Sequence, residues 1–520
     1  MASAAASASA AGARERSGGL TGPRLLLAGF VLALTNFMVV LDTTIANVSV
    51  PHISGGLGVS VTQGTWVVTS YAVAEAICVP LTGWLVKRFG TVRTFMFALA
   101  GFTMFSALCG LATSLGMIVA FRIGQGLCGG PLMPLTQTLL LRIFPKEQHA
   151  QAMGVWAMTT VTAPIIGPIA GGWISDNWSW PWIFFINLPI GIACLFGVFT
   201  LLRGAETKTE TSRIDRVGLI LMVTWIAALQ VMLDLGRERD WFGSTFIVGC
   251  AIVAVVGFAA FIIWELTEEQ PVVDLRVFRH RGFAVAVAAL ALAFGTFFAS
   301  VVVIPQWLQG SLNYTATESG RVTAFTGILA VILSPIVAKF STKVDSRALV
   351  CFGMAWLGVV SVTRALWWSS GADFWTLAIP QLMQGLGMPF FFIPLTTIAL
   401  AAVRPEETAS AAGVMSFLRT LAAAIGTSIA ATKWEEHGRI ERNEIVNTLN
   451  QPDQVVTTLQ TAGLSAEQGR GMIERLVDQE SIALATNHIF LVAAVIFFLS
   501  ATLIWFAPRP KGAPPPGAAH

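Results

Sequence analysis

Long apolar runs, each about as long as a helix needs to cross a hydrocarbon layer, alternate along this chain with short segments that hold most of its charge. Crossing takes about 20 apolar residues. The pattern predicts 14 such helices, at 25–48, 65–86, 94–113, 115–141, 151–175, 182–202, 217–235, 244–266, 282–308, 319–340, 348–368, 375–401, 409–433 and 487–506. Hydrocarbon offers a backbone no water to bond, so helix is the expected conformation throughout. The expected fold class is an all-α polytopic membrane protein. The acid-rich stretch 435–486 is an exception, a long soluble excursion before the last span. Ser465 and Gln468 have the spacing of a capping box, and Met472, Ile473, Leu476 and Val477 form a helical stripe. A loop this long is uncommon unless it binds something; the alternative is a solvated helical hairpin with no special role.

The pattern also repeats. Gln125-Gly126-Leu127 is followed by Pro134-Leu135-Thr136, and about 260 positions later Gln384-Gly385-Leu386 is followed by Pro394-Leu395-Thr396. Pro145 and Glu147 lead into Gly154-Val155 as Pro405 and Glu407 lead into Gly413-Val414. Duplicated halves in a polytopic protein mark secondary transporters, in which two bundles rock about a central site. The repeat unit is six spans, giving an expected 6 + 2 + 6 arrangement. The N-terminal bundle is 25–202, a two-helix insertion with its linkers is 203–281, and the C-terminal bundle is 282–507 with 435–486 inside it. Residues 1–24 and 508–520 read as disordered cytoplasmic tails, and no apolar core precedes Arg24 as a cleaved signal peptide would require.

Composition agrees: 55% of residues are hydrophobic and 12% charged, against roughly 25% charged in soluble domains. Basic residues gather in alternate loops, among them Arg24, Lys87, Arg88, Lys146, Arg213, Arg279, Lys343, Arg404, Arg509 and Lys511. This bias assigns those loops and both termini to the cytoplasm. The net charge of +3 is then topology and not a nucleic-acid surface. Trp66, Trp173, Trp178, Trp182 and Trp375 fall at the opposite ends as an interfacial belt. All six cysteines lie in spans, so no disulfide framework is written. No Gly-x-x-x-x-Gly-Lys-Ser/Thr occurs, and the six histidines are scattered with no metal or nucleophile constellation. These patterns point away from an ATPase and a membrane enzyme and call for no cofactor. A sensor would want a signalling domain that is absent here.

A charge in hydrocarbon costs about 3 kcal/mol, so it faces a partner or a cavity. Counted along their helices at about 1.5 Å per residue, Asp42 lies about 27 Å from the inner surface and Arg122 about 10 Å from the outer one. The two reach similar depth and are expected to pair, as a proton-releasable switch or as a static packing contact. Glu75, mid-span with no basic neighbour in sequence, either carries a proton, meets a cationic substrate, or stays neutral in a hydrogen bond. Arg419, ten residues into its span, is a candidate to hold the acidic head of a lipophilic anion or to pair with Asp42 or Glu75. Arg364 lies nearer an outer end and is expected to snorkel. Phe37, Met38, Trp156, Trp225, Phe297 and Phe298 either line an apolar site or simply pack. Pro164, Gly167, Pro168, Gly171 and Gly172 make the fifth span a kinked helix with a closely approached neighbour.

Leu41-Asp42-Thr43-Thr44-Ile45-Ala46-Asn47-Val48 resembles the opening signature of the 14-helix drug:proton antiporters of the major facilitator superfamily. Arg122-Ile123-Gly124-Gln125-Gly126 is similar to the fourth-helix motif of that superfamily, and 163–172 to its fifth-helix antiporter motif. Trp182-Ile183-Phe184-Phe185-Ile186-Asn187-Leu188-Pro189 resembles the stretch that follows in the EmrB-like branch. The resemblance implies a major facilitator fold in a bacterial inner membrane and proton-coupled export of lipophilic drugs and weak acids. It also implies a tripartite pump with a periplasmic adaptor of the membrane-fusion type and an outer-membrane channel, with 435–486 as a docking surface. A fatty-acid exporter of the same branch is the alternative. It makes Pro164, Gly167, Pro168, Gly171 and Gly172 a conformational hinge, and Gly83, Lys87, Arg88, Gly90 and Arg93 the cytoplasmic gate loop. There Lys87 replaces the usual Asp, which puts that loop's ionic brace in doubt.

Overall fold

A computed structural model of the chain describes Leu20 and residues 22–508, apart from 146–147, 210–214, 238, 270, 342, 450–451 and 462–464. Most of the two expected tails, with Lys146, Arg213, Arg509 and Lys511, lies outside the described residues. Among those described there is helix and no strand. Twelve helices are long and apolar enough to cross a membrane, and counting two bent pairs brings the total to 14.

In chain order they are α1 (Pro23–Leu57), α2 (Trp66–Cys78 continued by Thr82–Phe89), α3 (Thr91–Gly110), α4 (Leu115–Ile143), α5 (His149–Asn177), α6 (Trp182–Leu201), α7 (Arg216–Leu235), α8 (Thr245–Thr267), α9 (Arg281–Gly310), α10 (Ala316–Phe340), α11 (Ser346–Trp367), α12 (Phe374–Ala401), α13 (Thr408–Thr448) and α14 (Ala466–Leu503). Caps mark several starts: Ser114, Asp215 and Asp373 each accept a backbone N–H from the first turn. Thr315–Glu318 and Ser465–Gln468 form reciprocal capping boxes. The second span, expected as one helix, is two that meet at 57°. Pro80 sits in that break, where it removes a backbone donor. The fifth span bends by 44° between Pro164 and Ile169.

The two halves pack alike. In the first, α1 packs on α5 and α6, α4 on α2 and α3, and α3 on α6. In the second, α9 packs on α13 and α14, α12 on α10 and α11, and α11 on α14. Small residues set the closest approaches: a Cβ on Gly126 of α4 would stand 2.5 Å from the Tyr71 carbonyl oxygen of α2. At the matching place, one on Gly385 of α12 would collide with the Thr326 carbonyl of α10. The halves meet along α5/α10 and, at the end of the bundle that carries Lys87, Arg279 and Arg404 (hereafter the basic end), along α2/α13. There a Cβ on Gly83 would stand 3.0 Å from Ser410 Cα. Toward the other end α7 runs beside both α2 and α13, and Ser428 Oγ donates to the Leu233 carbonyl at 3.0 Å.

At that other end α13 and α14 continue past the expected span ends as a helical hairpin, with Pro452–Thr461 as a short helix between them. Arg442 ties its two arms together through Asp478 at 2.7 Å and Glu474 at 3.5 Å.

Candidate functional site

The expected pair forms. Arg122 Nη1 of α4 donates to Asp42 Oδ2 of α1 at 2.7 Å, and both side chains have no exposed surface. Neutral groups that the sequence did not tie to the pair complete it. Gln125 Nε2 donates to Asp42 Oδ1 at 3.0 Å and Asn187 Nδ2 of α6 donates to the same oxygen at 2.6 Å. Gln125 Oε1 accepts from Arg122 Nη1 at 2.8 Å, and Arg122 Nε reaches the Val67 carbonyl at 3.0 Å. The guanidinium lies 4.1 Å over the Tyr71 ring. Asn187 Nδ2 is also 3.0 Å from Ser106 Oγ. The carboxylate is thus held by one cation and two amides, the dense donor set that a buried anion requires. Asn187 Oδ1 remains a buried acceptor with no partner.

Glu75 lies on α2, on the turn after Tyr71, and is partly exposed. It interacts electrostatically with Arg122, Asp42 and Arg419. No close ion pair forms between it and Arg419, nor between Arg419 and Asp42.

Arg419 sits elsewhere, between the halves and 2% exposed. Its guanidinium lies 5.2 Å from the Trp156 ring of α5 and 5.2 Å from the Phe294 ring of α9, with Nη2 against Met133 Sδ of α4. Trp156 stacks on Phe392 of α12 at 5.7 Å, and Phe392 meets Phe294 at 5.5 Å. A cation is therefore boxed by aromatic faces drawn from both halves. Trp156 was foreseen; Phe294 and Phe392 were not. Phe297 packs on Phe294 at 6.3 Å, one residue removed from the cation. Phe37 packs with Met133 in a small cluster with Val40, Leu41 and Ala163. Met38 is fully buried in the main core, which makes it a packing residue in this conformation.

Arg364 departs from expectation. It is 2% exposed and does not snorkel: its Nη2 donates to Gln381 and Gln384 of α12, while Nε is buried without a partner. Near the end of its helix, what packs outside it decides burial, and Trp368 and Phe490 cover it at 5.4 Å and 5.5 Å.

Of the fifth-span residues, Gly167 abuts Thr44 and Gly171 abuts Ile45, so they let α5 approach α1. Pro164 marks the 44° bend, Gly172 has open space around it, and the Pro168 side chain lies outside the described residues. In the gate loop Lys87 and Arg88 are exposed, Gly83 faces Ser410, and Gly90 adopts φ 89°. A side chain at Gly90 would strike Glu206, whose carboxylate accepts the Val92 and Arg93 N–H groups at 3.0 Å. Glu206 also lies 4.0 Å from Arg93 Nε. An acid on the segment after α6 therefore ties down the start of α3 beside this loop.

Comparison with known proteins matches this architecture. The Major Facilitator Superfamily matches over residues 32–427. Multidrug export protein EmrB of Escherichia coli K12 is 45% identical over 95% of this chain and 97% of its own length. Fatty acid resistance protein FarB of Neisseria gonorrhoeae is 41% identical over 94% and 97%. The solved structure of the proton:xylose symporter XylE shares the fold at a TM-score of 0.59 with 12% identity, covering 94% of this chain and 97% of that one. The chain belongs to the Major Facilitator Superfamily, as an EmrB-like multidrug exporter.

Proposed function

We propose that the protein exports lipophilic weak acids and drugs across a bacterial inner membrane in exchange for protons, by alternating access and with no cofactor. The observation that carries this reading is a titratable carboxylate sealed beside a cation in the helix bundle, at Asp42 and Arg122. The ionised acid is bound by three donors. Protonation converts one oxygen from acceptor to donor and releases Arg122, and the unpartnered Asn187 Oδ1 is an acceptor the neutral acid can use. A proton thereby changes the packing of α1 on α4. Glu75 is the second proton site, and Arg419 attracts the acidic head of the substrate. The basic end is cytoplasmic, with both termini on that side, and the chain divides into two six-helix bundles and a central pair. Pro164, Gly167, Pro168, Gly171 and Gly172 hinge α5 against α1. The helical hairpin docks a periplasmic adaptor of the membrane-fusion type, which joins an outer-membrane channel. The likeness to FarB favours fatty acids as a second substrate class of the same site.

The test uses the protein in vesicles with an imposed pH gradient, following a lipophilic weak acid and protons together. Gradient-dependent transport should be abolished in Asp42→Asn and lose its pH dependence in Glu75→Gln. Equal, gradient-independent movement in wild type and Asp42→Asn would overturn proton exchange.

A further inference from the structure

The duplication gives the central helices no counterpart, and the proton site does not use them. They nevertheless enclose a cavity of about 230 Å³ between α7, α8 and the linker after α8 on one side and the α2/α13 seam on the other. Met222, Trp225, Phe261, Val273 and Phe417 are among its walls, which are apolar throughout. An apolar cavity of about 150 Å³ stays dry and admits a benzene-sized guest. The space here is therefore enough for a substituted ring or a short acyl segment. The walls are held, not loose. Trp225 packs on Phe258 at 4.9 Å and on Phe417 at 5.8 Å, while the buried Glu265 carboxylate fixes Val273 through its N–H at 3.1 Å.

Trp225, itself 2% exposed, closes one side of the space with its ring. The location is specific. Met222 lies about 9 Å along α7 from the basic end, and Val414 about 9 Å along α13. α8, which screens the cavity, has only 17% of its apolar window buried inside the protein, so one helix layer separates the space from lipid. On the far side, Phe417 and Leu418 line the cavity and Arg419, next along α13, turns to the centre.

We infer that this cavity takes the apolar chain of a lipophilic weak acid as it leaves the basic-end leaflet, before its acidic head crosses the α2/α13 seam to Arg419. The two central helices then form an access chamber that the duplicated halves lack. This rests on the exporter reading and extends it from what is moved to where it comes in.

The experiment places the full chain in liposomes with a medium-chain fatty acid carrying a diazirine, and maps the photolabel by peptide mass. Label should fall on the α7 and α8 peptides that hold Trp225 and Phe258, and unlabelled acid should compete it away. Met222→Trp fills the space and should cut that label at least about five-fold. Val414→Phe narrows the space from the α13 side and should weaken competition about five-fold; it carries the test if Met222→Trp fails to fold. Label confined to the α5, α9 and α12 peptides that box Arg419, and unchanged by both variants, overturns the proposal. So does cavity label that unlabelled acid cannot compete, which would identify a resident lipid chain. Gradient-driven transport is followed in the same vesicles. Its absence alongside competed cavity label would defeat the exporter reading and leave the chamber standing.

Discussion

Gln125 and Gln384 occupy the same place in the two halves, and they hold opposite things. The glycine after each lets its helix close on a partner: a Cβ on Gly126 would be 3.1 Å from the Glu75 nitrogen, and one on Gly385 3.2 Å from the Ala330 nitrogen. Glu75 thus corresponds to Ala330, and Tyr71 to Thr326. Around Gln125 are two carboxylates and one guanidinium, Asp42, Glu75 and Arg122. Around Gln384 there is Arg364, wrapped in amides and rings. The acids of the C-terminal half, such as Glu318, Asp345, Asp373 and Glu407, stand at helix starts and in loops, while Arg364 and Arg419 lie buried in its spans. Duplication supplied the frame twice, and the chemistry then separated. One half kept a buried carboxylate beside a guanidinium, and the other kept buried guanidiniums without a carboxylate against them.

The largest test of that contrast is removal of charge on each side. Asp42→Asn leaves Arg122 buried without a counter-charge, which should cost about 3–5 kcal/mol. Arg364→Gln removes a buried cation that has no carboxylate partner, and should be near neutral or stabilising. Thermal unfolding in one detergent measures both. Equal losses would break the comparison, because they would mean that Arg364 is compensated as fully as Arg122.

Next come the two glycines. Gly126→Ala and Gly385→Ala each force apart a helix pair in contact through backbone, and each should cost about 1–3 kcal/mol. Here the halves should agree within about 0.5 kcal/mol, since the frame is what they share. A large difference in unfolding temperature would show that the frame has diverged along with the chemistry.

What the sequence disclosed follows the same line. Repeated Gln-Gly-Leu and Pro-Leu-Thr and the spacing of apolar runs disclosed the frame, because those residues meet neighbours at fixed register. Asp42 and Arg122 were legible as a pair because a charge at depth is costly enough to demand a partner. Gln125, Asn187 and Ser106 were not, since an amide or hydroxyl in a span carries no such penalty and its partner is distant in sequence. The aromatic box at Arg419 was half legible. Trp156 lies in a conspicuous span, but only folding brings Phe294 and Phe392 against it. Arg364 misled because depth along one helix says nothing of what covers its end. The break at Pro80 carried a signal, proline within an apolar run, that was available.

The smallest effects should appear at the basic end, where each half also uses an acid differently. Glu206 accepts backbone N–H groups at the start of α3, and Glu206→Ala should cost about 1 kcal/mol, as loss of a helix cap does. Glu407 instead gathers cationic side chains, Arg279 at 2.5 Å and Arg404 at 2.7 Å with His280 at 3.0 Å, beside one backbone N–H from Arg404 at 3.2 Å. Its bond with Arg404, above all, holds its carboxyl down at about 2. Arg404 and Arg279 are 64% and 49% exposed, so each pair is worth little and Glu407→Gln should cost no more than about 1 kcal/mol. Because the carboxyl titrates lower folded than unfolded, its contribution is whole above the ordinary carboxylate range and fades as pH falls toward 2. Unfolding midpoints of wild type and Glu407→Gln should therefore stay a constant small distance apart from pH 8 to pH 5 and converge below pH 4. A gap that instead widened in acid would mean that Glu407 contributes more as a neutral acid than its contacts with Arg404 and Arg279 do as a carboxylate. The basic ends would then differ as sharply as the two buried sites.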